Sequence, residues 1–338
     1  MNRIIVATAL MFCVLLALAA PTAYAQPAGQ PIDQAGWAAR KRMVALPNGV
    51  RLAYVELGNP AGRPVLLLHG YTDSSRVWTI LAPYLDRHRI LIPDQRGHGA
   101  STAPRCCYAM SDFTEDAQLF LDAMGVERAD LVGHSMGSFV AQNFAAEHPG
   151  RTNRIVLIGS TALAPVTRDN WMWTNIMALR EPIAANAAFL RLWGPTSSPT
   201  PVDPVLVRYY EPEIAATPPH VWRAVLRNLL DLPAGRHAAD VRAPVLILSG
   251  GRDEIFPAAH HASLLAAYPG AEAHVFPALG HNLILERPAE IGPVLARFLA
   301  QVPAAGGSGS RCGLACAEPK RAGSRPDAEL APLPPDLP

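Results

Sequence analysis

The ten residues Asp130–Phe139, DLVGHSMGSF, constrain the fold of this chain more than any other stretch. Small and apolar residues rise to Gly133, and a helix-compatible run begins at Gly137. A chain that passes from strand to helix within so few residues brings the two backbones close together. The flanking positions must then be small, and Gly133 and Gly137 supply that room. The residue at the apex, Ser135, is raised above the carboxyl end of a sheet, with the N–H groups of the helix start directed at whatever its hydroxyl attacks. A hydroxyl between two glycines at such a turn reads as an exposed, strained nucleophile.

The turn needs a sheet around it. Short apolar runs occur at Val65–Leu68, Ile90–Ile92, Ala129–Val132, Ile155–Ile158, Val245–Leu248 and Ala273–Phe276, each bounded by Gly, Pro or charge. Fully buried strands of a parallel sheet have this character. Helix-compatible segments such as Phe113–Met124 and Gly137–Glu147 lie between them, and a last helix is expected over Pro288–Leu299, with Pro in its first turn. Two alternating runs around Pro47-Asn48-Gly49 predict a hairpin ahead of the parallel strands. The pattern predicts an α/β fold, a mostly parallel, doubly wound sheet with helices on both faces.

One gap breaks the alternation. From about 165 to 240 there is no good strand, but there are four tryptophans, Trp171, Trp173, Trp193 and Trp222, and many prolines. This predicts a helical lid inserted over the sheet. Each Trp taken singly reads as packing of the lid's own core; together they make the apolar roof of a pocket. Seven Arg in the segment are matched by seven Asp and Glu, so it advertises no charged substrate.

The ends differ from the middle. Arg3, the uncharged run Ile4–Ala20 and the small-x-small triplet Ala23-Tyr24-Ala25 read as a secretory signal, residues 1–25, cut before Gln26. The alternative is an uncleaved N-terminal membrane anchor. Cleavage leaves an exported protein, periplasmic or extracellular, with no stable membrane span. Residues 26–41 read as a loose leader, 42–302 as the folded domain, and 303–338, rich in Pro, Ala, Gly and Ser, as a disordered tail. Cleavage would remove Cys13 and leave Cys106, Cys107, Cys312 and Cys316. An even number in an exported protein points to at least one disulfide, with three connectivities open. A tail-to-body bond would tie down the tail, while the adjacent pair would close a strained ring. The spacing of Cys312 and Cys316 is not read as a metal site, because no His lies in the tail. The formal charge of +1 and the absence of GxxxxGK[ST] and GxGxxG argue against nucleic-acid or phosphate binding.

A serine hydroxyl needs a base, and eleven histidines compete for the role. His134 adjoins the nucleophile and is expected to point away from it. His69 and His98 lie in glycine-rich loops and read as shaping them. His281 stands apart: PALGHNLILERP places it just after the last strand, in a loop opened by Gly280. The base needs an orienting carboxylate, and LILSGGRDEIFP supplies Asp253 directly after the Val245–Leu248 strand, with Glu254 as the alternative acid. The order Ser135, Asp253, His281 suits this type of sheet. For the oxyanion, the donors are the backbone N–H groups of Met136, after the nucleophile, and Tyr71, in the loop HGYTDSS.

Leu68-His69-Gly70, PDQRGHGAS (93–101), Gly133–Gly137, GGRDEIFP and GHNLILERP together resemble the α/β-hydrolase family in its single-domain, lidded branch. The likeness covers about residues 42–300. It implies a serine nucleophile and no metal or organic cofactor, with Asp94, Arg96 and His98 bracing their loop rather than reacting. The adjacent cysteines and the cysteine-bearing tail depart from the family pattern. The reading that follows is a secreted hydrolase that cleaves small apolar or aromatic carboxylic esters through an acyl-enzyme. Lactonase, cofactor-free haloperoxidase or perhydrolase, and C–C bond hydrolase remain open on the same triad. Haloalkane dehalogenases and epoxide hydrolases resemble the chain but carry Asp where Ser135 stands. A non-catalytic binding protein is disfavoured, since every catalytic residue type is present.

Overall fold

A computed structural model of the chain describes residues 29–194, 198–230 and 232–301. The signal run, the tail, and with them Cys312 and Cys316, lie outside the described residues.

The apolar runs form one eight-stranded sheet. In chain order the strands are β1 (Arg42–Ala45), β2 (Arg51–Gly58), β3 (Pro64–Leu68), β4 (Arg89–Pro93), β5 (Ala129–His134), β6 (Thr152–Ile158), β7 (Val245–Gly250) and β8 (Glu272–Phe276). They are arranged β1-β2-β4-β3-β5-β6-β7-β8. β1 pairs antiparallel with β2 and β2 antiparallel with β4; every other pairing is parallel. β5 and β7 are buried along their whole length, which explains why their sequences show no alternation. β8, at the edge, alternates between half-buried and exposed. Each Leu, Val or Ile removed from water in the central strands contributes about 1.5–3 kcal/mol.

The helices are α1 (Met110–Ala123), α2 (Met136–Glu147), α3 (Trp171–Met177), α4 (Ala187–Leu192), α5 (Pro204–Ala216), α6 (Pro219–Leu229), α7 (Ala258–Ala267), α8 (Leu283–Glu286) and α9 (Pro288–Ala300). α2 packs along β5 and β6 and against α1. The lid expected over 165–240 is helical, carrying α3 to α6. On α6, Val221, Trp222, Val225, Leu226 and Leu229 form one buried stripe at helical spacing. None of the described helices is long and apolar enough to cross a membrane.

The segment read as a loose leader is instead packed onto the domain from Gly29 on. Trp37 is fully buried, Gly29 N–H donates to Pro83 O at 2.9 Å, and Lys41 Nζ pairs with the buried Asp94 Oδ2 at 2.7 Å. An indole and an ammonium scattered in polar sequence show no period, so nothing in the sequence marked them as core.

The chain runs from β3 to β4 on one side and then crosses to β5 on the other. That reversal makes a topological switch point between β3 and β5, where a crevice opens beyond the carboxyl ends of the strands. The loop HGYTDSS leaves β3 there, and Ser135 leaves β5.

Candidate active site

Ser135 has φ +50° and ψ −120°, a conformation non-glycine residues rarely adopt, and one that costs of order 1–3 kcal/mol. Its N–H donates to Ile158 O at 2.9 Å, and its carbonyl accepts from Ser138 N–H at 2.9 Å and Ser138 Oγ at 2.5 Å. The glycines are required by contact distances. A Cβ on Gly133 would lie 2.3 Å from Gly137 O, and one on Gly137 would lie 2.2 Å from Leu68 O.

His281 lies in the loop after β8, and Asp253 in the loop after β7. His281 Nδ1 is 2.9 Å from Asp253 Oδ2. The other oxygen, Asp253 Oδ1, accepts from Ile255 N–H at 2.9 Å and Phe256 N–H at 2.8 Å. With Nδ1–H directed at the carboxylate, Nε2 is left as the acceptor. Gly280 N–H donates to both oxygens of buried Glu286 at 3.0 Å, which fixes the approach to His281. Ser135 and His281 line the same cavity, of about 420 Å³, and Ser135 Oγ makes no hydrogen bond to a described residue. Such contacts are often long before substrate binds.

The electrostatics follow from this placement. Burial pushes the His281 imidazole down. The charge and hydrogen bond of Asp253, with the charges of Asp73 and Glu286, outweigh it and leave the pKa above its ordinary value. Burial pushes Asp253 up; the charge and hydrogen bond of His281 and the two backbone N–H groups bring it below the usual carboxylate range. Glu254, the alternative acid, is exposed at the cavity rim.

The remaining expected residues divide. Met136 is the first residue of α2, so its N–H has no acceptor within its own helix. Tyr71 lines the cavity, its N–H has no acceptor among the described residues, and its hydroxyl donates to Trp222 O on the lid. Asp94, Arg96 and His98 brace their loop. Asp94 accepts from Ser75 N–H and Ala100 N–H, both at 2.8 Å, Arg96 forks onto Asp116 with two contacts of 2.6 Å, and His98 Nδ1 lies 2.8 Å from Arg96 O. Burial above all pushes His98 down to about 3, so it is neutral. His69 bridges the loops after β3 and β4, accepting Gln95 N–H on Nε2 at 2.9 Å.

His134 does not point away, as the sequence suggested. Its Nε2 is 3.0 Å from His281 O, its ring centroid is 5.2 Å from that of His281, and it lines the cavity. His134 and Ser135, adjacent in sequence, thus both line the crevice. Asp73 and Tyr210 also line the cavity, and neither was singled out from the sequence. Asp73 lies in the loop already marked by Tyr71; Tyr210 had no local signal.

Cys106 and Cys107 are bonded to each other, with Cys107 at φ +73°. Arg96 Nη1 donates to Cys107 O at 2.7 Å, tying this exposed pair to the braced loop.

A family model described as the alpha/beta hydrolase fold matches residues 63–288. The chain belongs to the α/β-hydrolase fold family. Among curated relatives, a 2-hydroxymuconate semialdehyde hydrolase from a Pseudomonas strain is 29% identical over 257 residues, 72% of this chain and 89% of that protein. The solved structure of a hydrolase from Pseudomonas aeruginosa matches with a TM-score of 0.68 at 28% identity, covering 77% of this chain and 98% of that one. An enol-lactonase from Burkholderia xenovorans matches with a TM-score of 0.67 over 77% of this chain and 100% of its own; at 22% identity that likeness is one of fold. The protein is an enzyme of this family, with hydrolases among its relatives and structural neighbours.

Proposed function

We propose that the protein is a serine hydrolase acting on small apolar or aromatic carboxylic esters. The observation that carries the reading is the Asp253–His281 hydrogen bond of 2.9 Å opening onto the same cavity as Ser135, held at φ +50°. Ser135 Oγ attacks the ester carbonyl while His281 Nε2 takes its proton. Asp253 holds the tautomer and stabilises the imidazolium. The N–H groups of Met136 and Tyr71 receive the oxyanion. His281 then gives its proton to the departing alkoxide, leaving an acyl-Ser135. Water, deprotonated by His281, attacks that ester, and the acid departs with Ser135 restored.

The cavity supports a neutral substrate. Its described lining carries two carboxylates, Asp73 and Glu254, against one permanent cation, Arg252, exposed at the rim. Trp171, Met172, Trp193, Leu226 and Leu229 supply an apolar roof from the lid. C–C bond hydrolysis forms the second reading, favoured by the identity to the 2-hydroxymuconate semialdehyde hydrolase. The N-terminal run supports export, with mature protein beginning at Gln26, which N-terminal sequencing of natively expressed protein checks.

The test compares p-nitrophenyl esters of short and aromatic acids with lactones and vinylogous diketones, alongside Ser135→Ala. Loss of a triad nucleophile costs about 10⁶ in rate. Ester turnover abolished in Ser135→Ala while the fold is retained is the expected result. A variant keeping a tenth of the activity removes the serine mechanism; turnover of diketone or lactone but not ester replaces the substrate class.

A further inference from the structure

The loop after β3 is bonded to the lid by nearly every residue from 71 to 76. Tyr71 donates its hydroxyl to Trp222 O on α6. Thr72 Oγ1 accepts from Trp193 Nε1, just past α4, at 2.8 Å. Asp73 Oδ1 accepts from the hydroxyl of Tyr210 on α5. Ser74 Oγ donates to Glu213 Oε2, one turn further along α5. Arg76 donates to Glu213 Oε1 from Nε at 2.9 Å and Nη2 at 2.5 Å.

Asp73 joins this wiring to the nucleophile's surroundings. Its Oδ2 accepts Gly70 N–H at 3.1 Å and lies 3.7 Å from His134 Nδ1. A Cβ on Gly70 would be 2.6 Å from Asp73 Oδ2 and 3.2 Å from Ser135 Cβ, so the carboxylate closes over Gly70 at the level of Ser135. On the other side of Tyr71, Thr72 stands at φ +66°, a left-handed conformation that a β-branched residue keeps only when its surroundings impose it. The peptide carrying Tyr71 N–H therefore lies between two residues fixed from outside, Gly70 by Asp73 and Thr72 by Trp193.

We propose that Asp73 and Tyr210 are positioning residues for the oxyanion hole: through their hydrogen bond the seated lid holds the Gly70–Thr72 backbone so that Tyr71 N–H faces the developing oxyanion. The lid then both encloses the substrate and completes the donor set. This rests on the reading of Ser135 as nucleophile. A purely structural link would loosen the pocket for every ligand alike. A positioning link weakens chiefly the species that carries the oxyanion.

The experiment uses the full chain and three readouts in wild type, Tyr210→Phe and Asp73→Asn. These are ester kcat and KM, inhibition by an aryl trifluoromethyl ketone, which adds to Ser135 as an oxyanion, and inhibition by the matching alcohol, which cannot. Asp73→Asn keeps the shape of the side chain but has one oxygen to offer two donors, and it serves if Tyr210→Phe fails to fold. Because it also removes a charge that raises His281, all three readouts are taken on the pH plateau above the kcat/KM midpoint of each variant. Removing an oxyanion donor outright costs about 10²–10³ in kcat, so a displaced one is expected to cost about 10- to 100-fold. KM and alcohol affinity are expected to stay within about threefold, while ketone affinity falls with kcat/KM. Unchanged kcat in a folded variant, or ketone and alcohol affinities falling together, overturns the proposal. Labelling of wild-type Ser135 by a fluorophosphonate separates the two levels. An unlabelled wild type removes the serine-hydrolase reading itself, whereas a labelled wild type with an unaffected Tyr210→Phe removes only the positioning role.

Discussion

Asp253→Asn tests the proposed chemistry at its narrowest point. Asp253 Oδ1 accepts from Ile255 and Phe256 N–H at 2.9 and 2.8 Å, and Oδ2 faces His281 Nδ1 at 2.9 Å. An asparagine must choose which way to turn its amide. Placing Nδ2 against the two backbone donors would forfeit two buried hydrogen bonds, at about 1–3 kcal/mol each for the unsatisfied groups. The oxygen therefore stays with Ile255 and Phe256, and Nδ2 faces His281. His281 Nδ1 must then accept, which moves the ring proton to Nε2, the atom required to take the proton of Ser135. In serine hydrolases this tautomer error costs about 10⁴ in kcat, and at 1.36 kcal/mol per decade that is about 5 kcal/mol of transition-state stabilisation. The backbone bonds survive, so the melting temperature should change far less than kcat. The assay is p-nitrophenyl ester turnover at pH 8, paired with thermal denaturation. A folded Asp253→Asn within tenfold of wild type would refute the role of Asp253.

Because Asp253, Asp73 and Glu286 face His281 and outweigh its burial, with His134 packed beside it, kcat/KM should rise with pH through a midpoint above the ordinary imidazole value of about 6.5. The same raised pKa stabilises the fold below the unfolded value, and that contribution is lost as pH rises through the folded one; a pH-rate midpoint below 6.5 contradicts both. Gly137→Ala would set a Cβ 2.2 Å from Leu68 O and 2.6 Å from His69 O, both backbone, so a loss of at least ~1–3 kcal/mol is expected by thermal denaturation, and an unchanged melting temperature defeats the close-approach argument. Lys41→Ala would leave Asp94 buried without its ammonium partner, with an expected cost of about 3–5 kcal/mol by urea titration; a cost under 1 kcal/mol would show that the segment before β1 is not part of the core.

All six apolar runs read from the sequence fall inside strands β3 to β8, and the Asn-Gly turn lies between β1 and β2. Those in β3 to β7 were legible because a strand buried on both faces must be apolar throughout, and because parallel strands must be separated by crossovers, which fixes their spacing along the chain. The run in β8, expected to be fully buried, lies instead at the sheet edge with Ala273 and Val275 exposed. The segment ahead of β1 was not legible. Trp37 reaches the core from a coil and a short 3-10 turn, and Lys41 crosses to Asp94, 53 positions away. Neither contact repeats, so no period betrays it.

The candidate site divides along the same physical line. Ser135 was readable because the turn that exposes it leaves no room at Gly133 and Gly137, and a steric demand on backbone writes itself into neighbouring residues. Asp253 and His281 were readable because each directly follows a strand of known order. The wrong orientation given to His134 shows the limit of that logic: residue order placed it beside Ser135, but the contacts of its ring with His281 O and Asp73 come from loops distant in sequence. Tyr210 lies beyond the limit altogether. Its bond to Asp73 spans 137 residues and depends on how α5 is seated, a matter of one helix face meeting one loop. Side chain to side chain bonds of this reach impose no pattern on the residues around either partner. The parts of the site built from backbone geometry were therefore open to sequence reasoning, whereas the side-chain bonds that couple the lid to the loop after β3 had to be seen in three dimensions.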